Sequence, residues 1–381
     1  MNKYFFKRYL IKNVYLLIYV ILIDILFFIP FAFRKKNNLN DPKNIIICNL
    51  GHIGDVVYTL ILVNEFKKKF SNANIDFLCG SYSAGLVNKN KLIDDVITID
   101  HWLLNRGDKN IFLKIKKYFL DLFVFFKTNK SKKYDLGVNF FPFYPNPVLL
   151  LKLIGTKFIV SFNSSGFNYL NDLSCFWQLK KQHTLSYNNE LLSLLDMPQI
   201  NPKTIKNNFL SGIKNTKYKY KTACIHPCSS SIIKEWDIDN WVEVINFLNK
   251  KNYRCLITGN GKREEEYAER LLKMIDDKSK TINYSNRLSL EAFCETINSC
   301  VFIITVDTLT IHLANLFKKK SFVIRPGITL DEHWKPIVAG SLIFRYKTVC
   351  YPCLKSKGCA DMSCIKKVSA NDVISSLKKI I

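Results

Sequence analysis

The apolar run Ile45-Ile46-Ile47-Cys48 ends in a loop with two glycines three apart, Gly51 and Gly54, and a carboxylate, Asp55, follows at once. An apolar-periodic segment (Val56, Val57, Leu60, Ile61, Val63, Phe66) then continues to Phe70. A short continuous apolar run giving way to helical spacing predicts a buried parallel strand, a tight turn and a helix that begins at Asp55. Ligands of open α/β sheets bind just beyond the carboxyl ends of strands, so this loop is placed to face a ligand. Asp is also favoured as a helix cap, and the loop by itself does not separate a cap from a catalyst.

The same alternation recurs along the chain. Asn74–Cys79, Val96–Ile99 and Tyr134–Asn139 read as further strands, and a polar Lys/Asn-rich stretch without apolar periodicity, 200–220, reads as a linker. Beyond it, Thr222–His226, Tyr253–Gly259, Cys300–Thr305 and Ser321–Ile324 alternate with helices over 239–250, 263–274 and 292–299, with Ser321–Ile324 as the last strand. The prediction is α/β: two Rossmann-like, doubly wound parallel-sheet domains facing across a cleft, over 44–215 and 216–349. A chain of 381 residues is long enough for two such cores.

Residues 1–43 are a separate, membrane-anchoring helical segment. Val14 to Phe33 is mostly apolar, interrupted by Asp24 and Pro30, with Lys3, Lys7, Arg8 and Lys12 before it and Arg34, Lys35 and Lys36 after it. Its length suffices for a span, but basic residues at both ends give no orienting asymmetry and Asp24 would be costly in a lone helix crossing lipid. A helix lying in or dipping into the interface, its lysines on anionic headgroups, is therefore favoured over a span. The formal charge of +25 suits an anionic membrane surface or a phosphorylated ligand; no helix-turn-helix, RNP or zinc-finger pattern supports nucleic acid as a partner. A basic, aromatic helix over Ile111–Lys127, with Phe112, Ile115, Phe119, Phe123 and Phe126 at helical spacing, reads as a core stripe with solvated lysines rather than a lipid-contact surface.

Of 12 cysteines, eight lie scattered in apolar runs, as buried reduced thiols of a cytosolic protein do. The other four, Cys350, Cys353, Cys359 and Cys364, fall in a Cys-rich tail that precedes a C-terminal helix, together 350–381. Four thiols with Pro352 and Gly358 to turn the chain can enclose a tetrahedral ion, making a structural zinc the candidate and a disulfide pair the alternative.

A dinucleotide site is excluded at the first loop, because Gly51-x-x-Gly54 lacks the third glycine and Asp55 would face a pyrophosphate. The second half suits phosphate better. Ser229, Ser230 and Ser231 follow a strand, Lys234 offers an ammonium, and Asp307-Thr308-Leu309-Thr310 opens a helix whose free N–H groups suit a diphosphate. Polar turn and helix cap are the competing roles of these residues; their joint occurrence at two strand ends favours a ligand.

Four segments stand in a characteristic order: Gly54-Asp55-Val56-Val57-Tyr58-Thr59; His226-Pro227-Cys228-Ser229-Ser230 with Lys234-Glu235-Trp236; Ser289-Leu290-Glu291; and Asp307-Thr308 with His312-Leu313-Ala314. Together they resemble the heptosyltransferase family of bacterial lipopolysaccharide core assembly, inverting nucleotide-sugar glycosyltransferases with the two-Rossmann GT-B fold. The resemblance covers about 44–381. It implies Asp55 as general base on the acceptor hydroxyl, with Gly51 and Gly54 letting the acceptor approach. Lys234 and the Ser229/Ser230 turn would stabilise the departing nucleotide diphosphate, so that no cofactor or metal is required for catalysis. Glu291 would bind the ribose, Asp307 the sugar hydroxyls and Thr308 the phosphates, with His312 supporting that loop. Leu309 stands where the family has glycine, and Glu235 where a neutral or basic residue is common. The implied function is transfer of a sugar, heptose from ADP-heptose, onto a lipopolysaccharide core or related lipid-linked or surface-glycan acceptor at the cytoplasmic face of the inner membrane. Another nucleotide sugar, a protein acceptor, or a catalytically silent membrane-bound sugar-binding protein are the alternatives.

Overall fold

The computed structural model describes residues 9–11, 13–31, 33–104, 110–205, 210, 212–355 and 357–381. The basic residues expected before the N-terminal helix (Lys3, Lys7, Arg8, Lys12), and part of the expected linker, lie outside them. The chain divides into two compact units, one of 1–180, 184–204 and 208–211, the other of 181–183, 205–207 and 212–381.

In the first unit α1 (Val14–Phe31) precedes β1 (Asn44–Asn49), α2 (Ile53–Lys69), β2 (Asn74–Cys79), α3 (Ser81–Val87), β3 (Asp95–Thr98) and α4 (Ile111–Asn129). β4 (Leu136–Asn139), α5 (Val148–Leu153), β5 (Phe158–Phe162), β6 (Leu173–Cys175) and α6 (Thr184–Leu194) complete it. The strands form one sheet in the order β3-β2-β1-β4-β5-β6, every pair parallel. Ile45, Ile46, Ile47 and Cys48 are wholly buried, as a central strand covered on both faces requires. At about 1.5–3 kcal/mol per buried isoleucine, β1 is among the strongest local contributions to this core.

The second unit repeats the plan with β7 (Thr222–His226), α7 (Ile238–Lys250), β8 (Arg254–Ile257), α8 (Lys262–Met274), β9 (Thr281–Asn283) and α9 (Leu290–Ser299). β10 (Phe302–Val306), α10 (Leu309–Leu316), β11 (Lys320–Ile324), β12 (Leu342–Phe344), α11 (Ser363–Lys366) and α12 (Ala370–Leu377) follow. Its strand order is β12-β11-β10-β7-β8-β9, again parallel throughout. Renumbered within each unit, both sheets run 3-2-1-4-5-6, the Rossmann order, with the order reversing between β1 and β4 and between β7 and β10. This is the domain composition of the GT-B fold.

Three expectations are corrected. Ser321–Ile324 is not the last strand, since β12 pairs parallel to β11 beyond it; three residues carry too little periodicity to announce an edge strand. The C-terminal segment belongs to the second core: Val368, Val373 and Leu377 are buried there, and the Trp236 indole donates to the Val368 carbonyl at 2.8 Å. The stripe expected on α4 is split between core and surface. Phe112, Phe119 and Phe123 are 76%, 61% and 67% exposed, while Ile115, Tyr118, Leu122, Phe125 and Phe126 turn inward.

α1 is docked on the first unit. Leu17, Val20 and Asp24 are its buried residues. The Asp24 carboxylate accepts from the Tyr9 hydroxyl at 2.7 Å and from the Phe167 backbone N–H at 2.8 Å. Just beyond α1, the Arg34 guanidinium donates to the Tyr169 and Leu170 carbonyls and to Asp172. The charge that would be costly in a lone helix is thus satisfied by the fold.

Candidate functional site

In the first unit the site loop leaves β1 at the point where strand order reverses. Asn49 folds it: its side-chain oxygen accepts from the Gly51 N–H at 2.9 Å and its amide donates to Thr59 at 2.8 Å. Thr59 in turn donates to the Asp55 carbonyl one helical turn back. The Tyr82 hydroxyl bridges the Leu50 and Gly51 carbonyls, each at 3.0 Å. Asp55 occupies the third position of α2 and accepts from the His52 backbone N–H at 2.9 Å, so its carboxylate does cap the helix, half-buried rather than sealed. Capping fixes the side chain's direction and leaves the second oxygen uncommitted to that bond.

Gly51 has a structural reason of its own. A Cβ there would lie 2.8 Å from Asp55 Oδ2 and 2.8 Å from the Phe141 ring, so the missing side chain makes room for the carboxylate and for the loop that follows β4. The space expected for an approaching acceptor is filled, at Gly51, by the protein itself; Gly54 is buried in the first turn of α2.

In the second unit the residues singled out leave the ends of three adjacent strands, β7, β10 and β11. Asp307, directly after β10, receives Lys234 Nζ at 3.0 Å and lies 3.3 Å from the Arg325 guanidinium, which directly follows β11. Burial opposes its ionisation, but Arg325 and Lys234 outweigh it and hold the carboxyl well below the usual carboxylate range. Thr308 caps α10, accepting from the Thr310 N–H at 3.3 Å, and Leu309 is the first helical residue, half-buried. His312, one turn on, is buried against Trp334, and burial pushes its pKa down to about 4, so the imidazole is neutral at pH 7.

The serine turn is built differently from the expectation. Ser229 is buried, its hydroxyl donating to the Ser231 carbonyl and accepting from the Ser231 N–H, so it shapes the turn; Ser230 is exposed. Glu235 explains its own departure. It accepts from the Ser229 N–H at 3.0 Å and from Arg263 through both carboxylate oxygens, at 2.7 and 3.0 Å, clamping the turn to α8. Glu291 lies half-buried in the first turn of α9, whose N-cap is Ser289. Phe293 on the same helix packs on His226 with ring centroids 5.4 Å apart, bringing this helix start to the end of β7.

Lys234, Asp307, Thr308 and His312 are therefore brought together, and Arg325 joins them unanticipated. It is wholly buried, and its Nε and Nη1 have no hydrogen-bond partner among the described residues. The guanidinium is held between Asp307 at 3.3 Å and Asp331 at 3.8 Å and donates to the Thr329 hydroxyl, so it fixes the Asp307 carboxylate beside the start of α10. Its signal was present, a lone cation at the carboxyl end of a strand. Tyr82, similarly placed after β2, also went unread.

The four tail thiols do not converge. Cys364 is buried in the second core, Cys350 and Cys359 are exposed, and Cys353 is half-buried. Cys350 points to Thr348, and the Cys359 sulfur accepts from the Met362 N–H. Among the described residues no three His, Cys, Asp or Glu side chains could hold a metal ion. The structural zinc therefore finds no assembled ligand set.

The family profile "Glycosyltransferase family 9 (heptosyltransferase)" matches residues 149–362, more than half of the chain. Lipopolysaccharide core heptosyltransferase OpsX of Haemophilus influenzae is 21% identical over 286 residues, 72% of this chain and 76% of that protein. Lipooligosaccharide heptosyltransferase 2 of Campylobacter jejuni is 26% identical over 153 residues, 39% of this chain; the chain spans about half (47%) of that relative's length. Among solved structures, Escherichia coli heptosyltransferase WaaC with ADP-2-deoxy-2-fluoro heptose superposes with TM-score 0.68 at 16% identity, covering 89% of this chain and all of that one. The E. coli ADP-heptose lps heptosyltransferase II does so with TM-score 0.64 at 14% identity, covering 88% of this chain and 98% of that one. Fold and profile agree with the order of the sequence segments, and the chain belongs to glycosyltransferase family 9, the heptosyltransferase family.

Proposed function

We propose that this chain transfers a heptosyl group from ADP-heptose to a hydroxyl of a lipopolysaccharide core or related lipid-linked surface glycan, with inversion, at the cytoplasmic face of the inner membrane. The observation that carries the reading is the cationic set in the second unit. Lys234, Arg325 and the N-terminus of α10 meet around Asp307 at the ends of three adjacent strands, next to the topological switch point. Such a set stabilises a nucleoside diphosphate as it departs, the charge being met by fixed donors rather than by a bound cation.

In the reaction the acceptor oxygen bonds to the anomeric carbon as the bond from that carbon to the diphosphate oxygen breaks. Asp55 takes the acceptor's proton, and ADP leaves with the electron pair. The His52 N–H keeps the Asp55 carboxylate oriented, and the Asn49–Thr59 and Tyr82 bonds keep its loop rigid. Lys234 and Thr308 contact the diphosphate, Ser230 lines its turn, Glu291 takes the ribose hydroxyls, and neutral His312 supports the α10 start. Asp307 holds Lys234 and Arg325 in place and accepts from sugar hydroxyls. The ADP-heptose analogue bound by a structurally similar enzyme favours that donor over other nucleotide sugars.

A thermal-shift panel of nucleotide sugars tests the donor. ADP-heptose at about a hundred times its Kd should stabilise the chain by about 2.7 kcal/mol. A shift with a UDP-sugar and none with ADP-heptose would make the donor assignment wrong. A shift with no turnover on any acceptor would favour a silent sugar-binding protein, the reading that Leu309 suggests.

A further inference from the structure

We infer that α1 and the outer face of α4 together form a docking surface for an anionic bilayer, with α1 lying in the membrane plane instead of crossing it.

α1 is long and apolar enough to cross a membrane, with mean hydropathy 2.6. Its contacts, however, divide its circumference. Leu17, Val20 and Asp24 face the fold, and the opposite arc exposes Val14, Ile18, Leu22, Ile25 and Ile29. The carboxylate at mid-helix is held by Tyr9 and by the backbone of Phe167, a residue of the same folded unit. Two further contacts lock the same arc: the Tyr169 hydroxyl donates to the Asp24 carbonyl at 2.9 Å, and Phe28 packs edge-on to the Tyr169 ring at 5.2 Å. A membrane-crossing α1 would carry this latch to the bilayer centre or break it, leaving a carboxylate in hydrocarbon. With the helix in the plane, Asp24 stays in the protein while the exposed arc enters the acyl boundary.

α4 supplies the second half. It packs on the same core cluster as α1 through Tyr118, Leu122 and Phe126. Its opposite face carries Phe112, Leu113, Phe119, Leu120, Phe123 and Val124, all exposed. Lys116 and Lys127 stand exposed on this face, and Lys130 and Lys133 are exposed just after it. An interface with another protein is depleted in lysine, whereas lysines among aromatic side chains match anionic headgroups above an acyl boundary. The occupant is therefore a lipid surface.

The test uses the full chain, phosphatidylcholine vesicles containing about a third phosphatidylglycerol, and an N-terminal epitope tag. Wild type should co-sediment with these vesicles, and Phe119→Ser/Phe123→Ser should lower its partitioning at least tenfold with an unchanged melting temperature, since both rings are exposed. Pure phosphatidylcholine vesicles should also bind at least tenfold less. After binding from outside, protease added outside should still remove the tag. Partitioning of the variant within twofold of wild type, indifference to anionic lipid, or a tag protected inside the vesicles would each overturn the proposal. None of these readouts involves turnover, so they stand or fall apart from the transferase reading.

Discussion

Asp307→Asn should be the most informative single change in the second unit. In the wild type one carboxylate, 11% exposed, faces Lys234 at 3.0 Å and the wholly buried Arg325 at 3.3 Å. Removing one partner of a buried ion pair costs about 3–5 kcal/mol, because the remaining charge is left uncompensated. Two facts place this case at the low end: Lys234 is a third exposed and can turn to water, and Arg325 retains Asp331 at 3.8 Å. The expected loss is about 3 kcal/mol, or roughly 6–12 °C in Tm for a unit of this size. Lys234→Met should cost less, since Asp307 keeps Arg325. The folded pKa of Asp307 is depressed, so its contribution is fully present above the unfolded value near 3.8 and is lost as pH falls through the folded value. The gap between wild type and Asp307→Asn should thus hold unchanged from pH 8 to about 5. Scanning fluorimetry of the three proteins across pH measures this. A loss under about 1 kcal/mol, or Lys234→Met as the more damaging change, would mean that Asp307 does not balance the buried Arg325 charge.

Gly51→Ala places a Cβ 2.8 Å from Asp55 Oδ2 and from Phe141, and should cost about 1–3 kcal/mol by chemical denaturation while displacing the carboxylate and abolishing transfer; a stable, active variant would contradict the packing. Burial lowers the pKa of His101 and His183 to about 3 and of His226 and His312 to about 4, so all four are neutral in the fold. Unfolding should then take up protons below pH 6.5, and calorimetry should show stability falling from there towards pH 4, by up to about 5 kcal/mol per pH unit; a Tm unchanged between pH 7 and 5 would be inconsistent with neutral burial. Elemental analysis should find well under one zinc per chain, and chelator should leave the Tm unchanged, whereas one tightly held equivalent would show that Cys350, Cys353, Cys359 and Cys364 gather around an ion.

Much of this was readable from the residues, for definite reasons. β1 and α2 announce themselves because period and composition change together at Gly51, and burial on both faces leaves the run Ile45–Cys48 of β1 without a polar residue to blur the signal. β9 and β12 were missed because three residues give no period. α4 misled because it is apolar on both sides: helical spacing joined Phe112, Phe119 and Phe123, which face outward, to Ile115 and Phe126, which face the core. Sequence could place Lys234 and Asp307 on separate loops, but their contact, and the part Arg325 takes in it, depends on β7, β10 and β11 being neighbours, a matter of topology. The role of Glu235 likewise waited on Arg263, 28 residues away.

In the proposed transfer from ADP-heptose, Asp55 removes the acceptor's proton. The direct measurement is ADP release with a lipopolysaccharide-core acceptor by wild type and by Asp55→Asn, which preserves shape and the bond from the His52 N–H. Asp55→Asn should lose on the order of a hundredfold or more in kcat with donor binding intact. Equal turnover by the two proteins would contradict this role and leave Asp55 as no more than the cap of its helix.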